Sequence, residues 1–200
     1  MWTFYGLLIF SFLSGSIPFG WIFAHRHGVN LRKVGSGNIG ATNVSRAMGL
    51  RWGLIVFGLD TLKGVIPVLM ARFYMHHEPQ RWGWIALAAV AGHMFSPWLK
   101  FRGGKGVATA FGAFIALEPW AATMAFGIFL VMLGMFSYVA LASMTAALAF
   151  VLFLYLLFQP PPLLLSAAVL TALLILIRHE SNLRRLLRGE EDRIRWSKAG

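Results

Sequence analysis

Long apolar stretches, interrupted by short polar connections, dominate the chain. A membrane-spanning helix needs about 20 mostly apolar residues, and the first, second and sixth stretches are long enough alone. The fourth stretch is short, and only Glu118 and Pro119 separate it from the fifth. The pattern predicts an all-α integral membrane protein, a compact bundle of about seven transmembrane helices near residues 3–24, 50–74, 84–99, 107–117, 119–136, 138–157 and 163–177.

The composition strengthens this prediction. Of the 200 residues, 58% are hydrophobic and only 12% are charged, which leaves too little polar surface to cover a water-facing globule. The chain contains no cysteine, which excludes disulfide bonds, thiolate metal sites and a thiol nucleophile. Since no internal repeat or low-complexity linker divides the sequence, residues 1–200 are predicted to form a single transmembrane domain.

The basic residues predict the orientation in the membrane. A net charge of +11 is also found in nucleic-acid-binding proteins, but here no basic run is long enough to form a binding arm. Lys and Arg mark the cytoplasmic side of membrane proteins, so seven spans place the N terminus outside and the C terminus in the cytoplasm. Only Arg72 and Arg81 then lie outside, and Lys63 lies within a span. The cytoplasmic cations are Arg26, Arg32, Lys33, Arg46, Arg51, Lys100, Arg102, Lys105, Arg178, Arg184, Arg185, Arg188, Arg193, Arg195 and Lys198.

The first cytoplasmic connection contains the glycine-rich string GSGNIGATN at residues 35–43. Glycine lets backbone N–H groups approach and surround an anion. A dinucleotide-binding reading of GxGxxG fails, because that motif follows a strand in a βαβ unit and here a membrane span precedes it. The alternative, a flexible turn, needs glycine but not the neighbouring Ser, Asn and Thr residues.

The second cytoplasmic connection, KFRGGKG at residues 100–106, places three cations around a glycine pair. It lacks the spacing of a nucleotide-hydrolase phosphate loop. Lys105 still offers a point charge, and Arg102 a forked donor, to phosphate oxygens. A positive-inside membrane anchor is the alternative, and it explains the charges but not the glycines.

A third polar cluster begins where the last span ends and contains His179, Asn182, Arg185 and Glu191. If this region is helical, His179, Asn182 and Arg185 recur every three residues along one side. An amphipathic helix at the membrane interface is an equally good reading, and both readings can hold together.

Other polar residues carry weaker signals. Asp60 and Lys63, inside the second span, are spaced to form a neutralising pair. His93, in the third span, is expected to be a core histidine whose ring is satisfied by hydrogen bonds, and a direct role in binding a ligand is the alternative. The adjacent His76, His77 and Glu78 lie on a short external loop and are expected to be solvated rather than bound to a metal.

Four strings, in order along the chain, carry a family resemblance: SGSIPFG (14–20), GSGNIGATN (35–43), GHMFSPWLKFRGGKGVAT (92–109) and HESNLRRLLRGEE (179–191). In these strings the chain resembles the bacterial membrane glycerol-3-phosphate acyltransferases that use acyl phosphate as donor. The resemblance implies transfer of a fatty acyl group to the 1-hydroxyl of glycerol 3-phosphate, which gives lysophosphatidic acid and phosphate. This reaction is the first step of phospholipid synthesis.

The three polar clusters agree with that activity. Both substrates and both products bear phosphate, and each cluster is suited to bind phosphate. No histidine has an aspartate five positions later, so the HxxxxD mechanism of more widespread acyltransferases is absent. Acyl phosphate is already activated, and the protein mainly has to position the hydroxyl and stabilise developing charge.

The predicted site draws on all three cytoplasmic clusters. His179 acts as general base or only binds substrate; in the second case a substrate phosphate oxygen takes the proton. The predicted catalytic residues are Ser36, Arg46, Lys105, His179 and Asn182. The predicted phosphate-binding residues are Gly35, Gly37, Asn38, Gly40, Thr42, Asn43, Arg102, Gly103, Gly104, Gly106 and Arg185.

No cofactor or metal is expected, since cations and amides can neutralise phosphate directly. The expected partners are the two substrates, membrane lipids and a soluble or peripheral enzyme that produces acyl phosphate, with no nucleic acid. The resemblance places the chain in the bacterial inner membrane, with its site facing the cytoplasm. A small transporter for organic anions is the main alternative; the lack of a repeat and the polar motifs at one membrane edge favour an enzyme over that transporter.

Overall fold

The computed structural model describes residues 1–194, so the predicted cytoplasmic cations Arg195 and Lys198 lie outside the described residues. The described part of the chain is helical and contains no strand. Its α-helices are α1 (Trp2–Ser16), α2 (Phe19–Arg26), α3 (Ala41–Met48), α4 (Leu50–Tyr74), α5 (Trp82–Met94), α6 (Val107–Leu117), α7 (Pro119–Phe136), α8 (Val139–Phe153), α9 (Pro162–Arg178) and α10 (Glu180–Leu187).

All seven predicted apolar segments are largely helical, but the number of spans and the orientation of the termini stay predictions. Among residues 1–194, four segments are long and apolar enough to cross a membrane: Trp2–Arg26, Leu50–Tyr74, Pro119–Phe136 and Val139–Phe158. The helices α9 and α10, which meet at a bend of 55°, give a fifth such segment when they are counted as one span. Helices α5 and α6, with 13 and 11 residues, are shorter.

The third predicted segment, 84–99, ends earlier than expected. Helix α5 ends at Met94, and a short 3₁₀ turn covers Pro97–Leu99. Proline disfavours helical backbone at the residue before it, and Ser96, which precedes Pro97, accordingly has a non-helical ψ of 119°. This early end brings the following loop close to the site.

Small residues bring α4 and α6 together. A Cβ atom on Gly64 would overlap the Thr109 backbone, and a Cβ atom on Gly112 would overlap the Thr61 backbone. Close approach through small residues is how membrane helices pack without a hydrophobic driving force between them. The contact fixes α4 against the start of α6, directly after the second polar loop.

A separate apolar cluster supports the first polar loop. Leu31 and Ile39, on either side of the glycine-rich turn, are buried with Val44 of α3 and Val56 of α4. Because both ends of the loop are anchored, its polar residues have a fixed position relative to α4.

Candidate active site

Asn43 organises the first loop from its centre. Its side chain is buried and donates to the carbonyls of Leu31 at 3.1 Å and Asn38 at 2.8 Å, while its Oδ1 accepts from the Ser36 N–H at 3.0 Å. Nearby, Asn38 Oδ1 accepts from the Gly40 N–H at 2.9 Å. The loop is therefore held in shape by its own amide side chains.

The start of α3 faces a polar cavity. Gly40 is the N-cap residue, and no side chain caps the helix. Gly40, Ala41 and Thr42 line the cavity. An uncapped helix N-terminus is a favourable place for an anion, because its N–H groups and dipole both present positive charge.

Lys105 enters the same cavity from the second loop and donates a hydrogen bond to Asn182 Oδ1. Burial lowers the pKa of the Lys105 ammonium to about 8. The Glu191 carboxylate opposes this shift, and the guanidiniums of Arg185, Arg178 and Arg46 add to it. Lys105 is thus a partly desolvated cation, which strengthens its attraction for phosphate.

His179 lies at the junction of α9 and α10 and is buried. Its Nδ1 lies 2.8 Å from the Ile175 carbonyl oxygen, so the neutral tautomer that donates there leaves Nε2 as an acceptor. Burial lowers the pKa of His179 to about 4, and the positive charge of Lys105 adds to this shift. The imidazole is therefore neutral at physiological pH.

Glu191 follows α10 and contacts two side chains of that helix. Its Oε1 accepts from Asn182 Nδ2 at 2.6 Å, and its Oε2 pairs with Arg185 Nε at 2.7 Å. The next residue, Asp192, pairs with Arg46 Nη1 at 3.3 Å. Sequence reasoning placed Glu191 in the third cluster but did not name it as a site residue, because contacts that follow the helix end are not visible in the periodicity.

Ten of the sixteen predicted site residues line one cavity of about 170 Å³. Asp60 and His93 from the membrane spans also line it, although neither was named as a site residue. Both are polar residues within apolar spans, and that position is the signal that could have identified them. The predicted residues that line the cavity are Ser36, Asn38, Gly40, Thr42, Asn43, Arg46, Lys105, Gly106, His179 and Asn182.

Six predicted phosphate-binding residues do not line this cavity. Gly35 and Gly37 adopt left-handed backbone angles, with φ of 53° and 67°, and serve the turn. Arg102 is exposed, and Arg185 is engaged with Glu191. The remaining two, whose backbone groups make other contacts, are Gly103 and Gly104.

The N–H groups of Gly103 and Gly104 donate to the carbonyls of Met94 at 3.0 Å and His93 at 3.1 Å. In this arrangement they are not free to bind phosphate. A Cβ atom on either glycine would overlap the His93 carbonyl or ring. These glycines allow close packing of the loop on α5, a requirement that the sequence does not distinguish from anion binding.

An apolar cavity of about 110 Å³ adjoins the polar one. The two share the lining residues Phe57, Val107, Phe129 and Ser143. The rest of its wall comes from apolar and small residues of α6 to α9, including Phe114 and Phe150. A polar cavity, lined by the cations Lys105 and Arg46 and the carboxylates of Asp60 and Glu191, therefore shares a wall with an apolar cavity.

Within residues 1–194, no group of three or more His, Asp or Glu side chains is placed to hold a metal ion. Metal-independent catalysis remains a prediction for experiment. The cations that line the cavity are Lys105 of the second polar loop and Arg46 of α3.

Comparison with known proteins identifies the family. The family described as "Glycerol-3-phosphate acyltransferase" matches residues 5–189. The chain is 47% identical over 190 residues to a glycerol-3-phosphate acyltransferase of Aquifex aeolicus, with 94% of this chain and 97% of that protein covered. It is 43% identical over 186 residues to one of Trichlorobacter lovleyi, with 92% and 94% covered.

Solved structures agree with this match. A crystal structure of PlsY (YgiH), an integral membrane glycerol 3-phosphate acyltransferase in its glycerol 3-phosphate form, is 44% identical with a TM-score of 0.93. A lysophosphatidic acid form is 42% identical with a TM-score of 0.90; each match covers 96% of both chains. The apolar helices and these neighbours confirm a multi-pass membrane protein, and the chain belongs to the glycerol-3-phosphate acyltransferase family.

Proposed function

We propose that this acyltransferase moves a fatty acyl group from acyl phosphate to the 1-hydroxyl of glycerol 3-phosphate, giving lysophosphatidic acid and phosphate. The observation that carries the proposal is the shared wall between a polar cavity, which contains Lys105 and Arg46, and an apolar cavity. The substrates together need a place for phosphate, a place for a hydrocarbon chain and a point where the two meet.

The polar cavity binds the phosphate groups. Lys105 and Arg46 supply positive charge, and Ser36 and Thr42 supply hydroxyl donors beside the uncapped start of α3. Hydrogen bonds from charged groups to phosphate are among the stronger ones in proteins. The acyl chain occupies the apolar cavity between α6 and α9, which places its carbonyl at the shared wall.

The chemical step is attack of the 1-hydroxyl oxygen on the acyl carbonyl carbon. The new ester bond forms, the bond between that carbon and the bridging phosphate oxygen breaks, and the leaving phosphate takes the electron pair. The preorganised cations stabilise charge on the carbonyl and on the leaving phosphate. No covalent enzyme intermediate is needed, because acyl phosphate is already activated.

His179 orients the hydroxyl, and a phosphate oxygen takes the proton. The neutral imidazole offers Nε2 as an acceptor for the hydroxyl hydrogen bond, which fixes the direction of attack. Before substrate binds, the His179 imidazole has a pKa of about 4, below the second pKa of a phosphate group, which is about 6. Of the two roles left open by the sequence, this favours binding over general base catalysis.

The site faces the cytoplasm of the bacterial inner membrane in this proposal. The bias of Lys and Arg towards the connections that form the cavity supports that orientation. A soluble or peripheral enzyme that produces acyl phosphate then supplies the donor from the same side. The transporter alternative gains no support, since the relatives are named acyltransferases.

A donor test checks the proposal. Purified protein is given glycerol 3-phosphate with either acyl phosphate or an acyl thioester, and phosphate and lysophosphatidic acid are measured. We expect both products in equal amounts, only when acyl phosphate and glycerol 3-phosphate are both present. Transfer from the thioester at a similar rate, or phosphate release without the acceptor, would contradict it. The Lys105→Ala protein controls for a contaminating enzyme.

A further inference from the structure

The loop that carries Lys105 is held along both edges of its backbone. On one edge, the N–H groups of Gly103 and Gly104 donate to carbonyls at the end of α5. On the other edge, Arg178 Nη2 donates to the Gly103 carbonyl at 2.8 Å and Arg178 Nε donates to the Gly104 carbonyl at 3.2 Å. One guanidinium thus holds two successive carbonyls directly before Lys105.

A second arginine continues this arrangement. Arg32 Nη2 donates to the Arg102 carbonyl, and Arg32 Nη1 donates to the Gly37 carbonyl at 3.2 Å. Three consecutive carbonyls of the second loop are therefore bound by two guanidiniums. Arg32 is exposed, whereas Arg178 is partly buried and lies against the Phe95 ring.

Arg178 also lies next to the other half of the site. It is the last residue of α9 and directly precedes His179. One helical turn later, Asn182 accepts the hydrogen bond from Lys105. The short segment from Arg178 to Asn182 therefore contacts the Lys105 loop at two places. Arg178 binds the backbone carbonyls of the loop, and Asn182 binds the Lys105 side chain.

We propose that Arg178 is a positioning residue, which fixes Lys105 relative to His179 by binding the Gly103 and Gly104 carbonyls. The inference rests on the proposed function, in which Lys105 binds substrate phosphate. Arg178 does not line the cavity, so its role is to place the groups that do.

The chemistry of this contact requires arginine. Two neighbouring carbonyls match the fixed fork of a guanidinium, whereas an ammonium is a single point charge on a flexible chain. It also requires glycine on the opposite side, because a Cβ atom at position 104 would overlap the His93 ring. The glycine pair lets the loop lie between α5 and Arg178.

Arg178 has an electrostatic effect that a purely structural residue would lack. The charged groups around Lys105 are Arg185 of α10, Glu191 beyond the end of α10, Arg46 of α3 and Arg178 of α9. The neutral His179 lies nearby. Because the positive charge of Arg178 lowers the pKa of Lys105, removing that charge is expected to raise it.

Three variants separate the fork from the charge. Arg178→Lys keeps the charge and removes the fork, whereas Arg178→Gln removes both. Arg184→Gln is the matched control, because Arg184 is exposed and pairs with Glu180 on the surface of α10 at 2.5 Å. Acyl transfer is measured with saturating substrates across the neutral and alkaline range, together with the melting temperature in detergent.

We expect kcat to fall about tenfold or more in both Arg178 variants, since charge-assisted hydrogen bonds that place Lys105 are lost. The alkaline limb of the rate profile should stay in place for Arg178→Lys and move to higher pH for Arg178→Gln. The control Arg184→Gln should match the original protein in kcat and in the pH of its alkaline limb.

Two results would overturn the inference. Unchanged kcat in Arg178→Lys at an unchanged melting temperature would show that the fork is unnecessary. An equal loss in both variants with neither limb moved would make Arg178 a general support of the fold. If Arg178→Gln does not fold, kcat of Arg178→Lys decides. Failure of the proposed function is distinguishable, since the original protein would then form no lysophosphatidic acid from acyl phosphate and glycerol 3-phosphate.

Discussion

The two cytoplasmic loops look alike in sequence but use glycine for different reasons. In the first loop, residues 35–43, the glycines form turns and an uncapped helix start, and the polar residues reach the cavity. In the second, residues 100–106, the glycine pair packs on α5 and only Lys105 and Gly106 line the cavity. A glycine-rich loop thus indicates either exposed amides or close packing, and long-range contacts decide between them.

The comparison predicts that the second loop acts mainly through one side chain. Lys105→Ala should therefore give the largest effect, a loss of tenfold to more than a hundredfold in kcat/KM, because a charge-assisted phosphate contact contributes roughly 1.5 to 3 kcal/mol. Lys105→Arg should restore activity only in part, since a planar fork does not replace a point charge. Near-normal activity in the alanine variant would reduce this loop to a membrane anchor.

Alanine at one glycine of each loop tests the two uses of glycine directly. A methyl group on Gly104 overlaps the His93 ring, so Gly104→Ala should lose about 1 to 3 kcal/mol of stability and much of its activity. A methyl group on Gly40 would lie 3.4 Å from Asn38 Oδ1, an ordinary contact. Gly40→Ala should therefore keep its melting temperature and raise KM. Equal melting temperatures for the two variants would argue against the distinction.

His179 lines the cavity together with residues of both loops. Its substitution tests whether this side chain binds substrate or takes the proton. His179→Gln should chiefly raise KM for glycerol 3-phosphate, several-fold to about tenfold, because one neutral hydrogen bond is lost. The acidic limb of the rate profile should persist, since a histidine with a pKa of about 4 does not titrate there and phosphate does. A variant with unchanged affinity for both substrates and no turnover would make His179 the general base.

The same histidine gives a smaller effect on stability. Its folded pKa of about 4 lies below the unfolded value of about 6.5, so the unfolded chain binds a proton that the folded chain does not. Stability should therefore fall as the pH drops from about 6.5 towards 4, and this part of the loss should vanish in His179→Gln. If stability falls equally with pH in the original protein and in His179→Gln, then protonation of His179 does not cause the loss.

The smallest effect is expected from metal removal. Both loops neutralise phosphate with cations and amides, so excess chelator should leave the rate unchanged. Loss of activity that magnesium alone restores would mean that the two loops do not supply enough charge.

The sequence predicted the fold class and most of the cavity because their signals are local. Apolar stretches identify the helices, and dense polar strings identify Ser36, Lys105 and Asn182. Residues whose placement depends on distant parts of the chain were missed: Glu191 acts through contacts beyond the end of α10, and Arg178 looked like an ordinary cytoplasmic cation. The early end of α5 depends on Pro97, whose effect on the third span was not anticipated.

The central claim is that the 1-hydroxyl oxygen of glycerol 3-phosphate attacks the acyl carbon and that phosphate is the leaving group. The most direct measurement uses glycerol 3-phosphate that carries the heavy isotope of oxygen in its 1-hydroxyl, with unlabelled acyl phosphate as donor. We predict that the label is retained in the ester oxygen of lysophosphatidic acid and that the released phosphate is unlabelled. Label in the released phosphate, or an ester without it, would contradict the account.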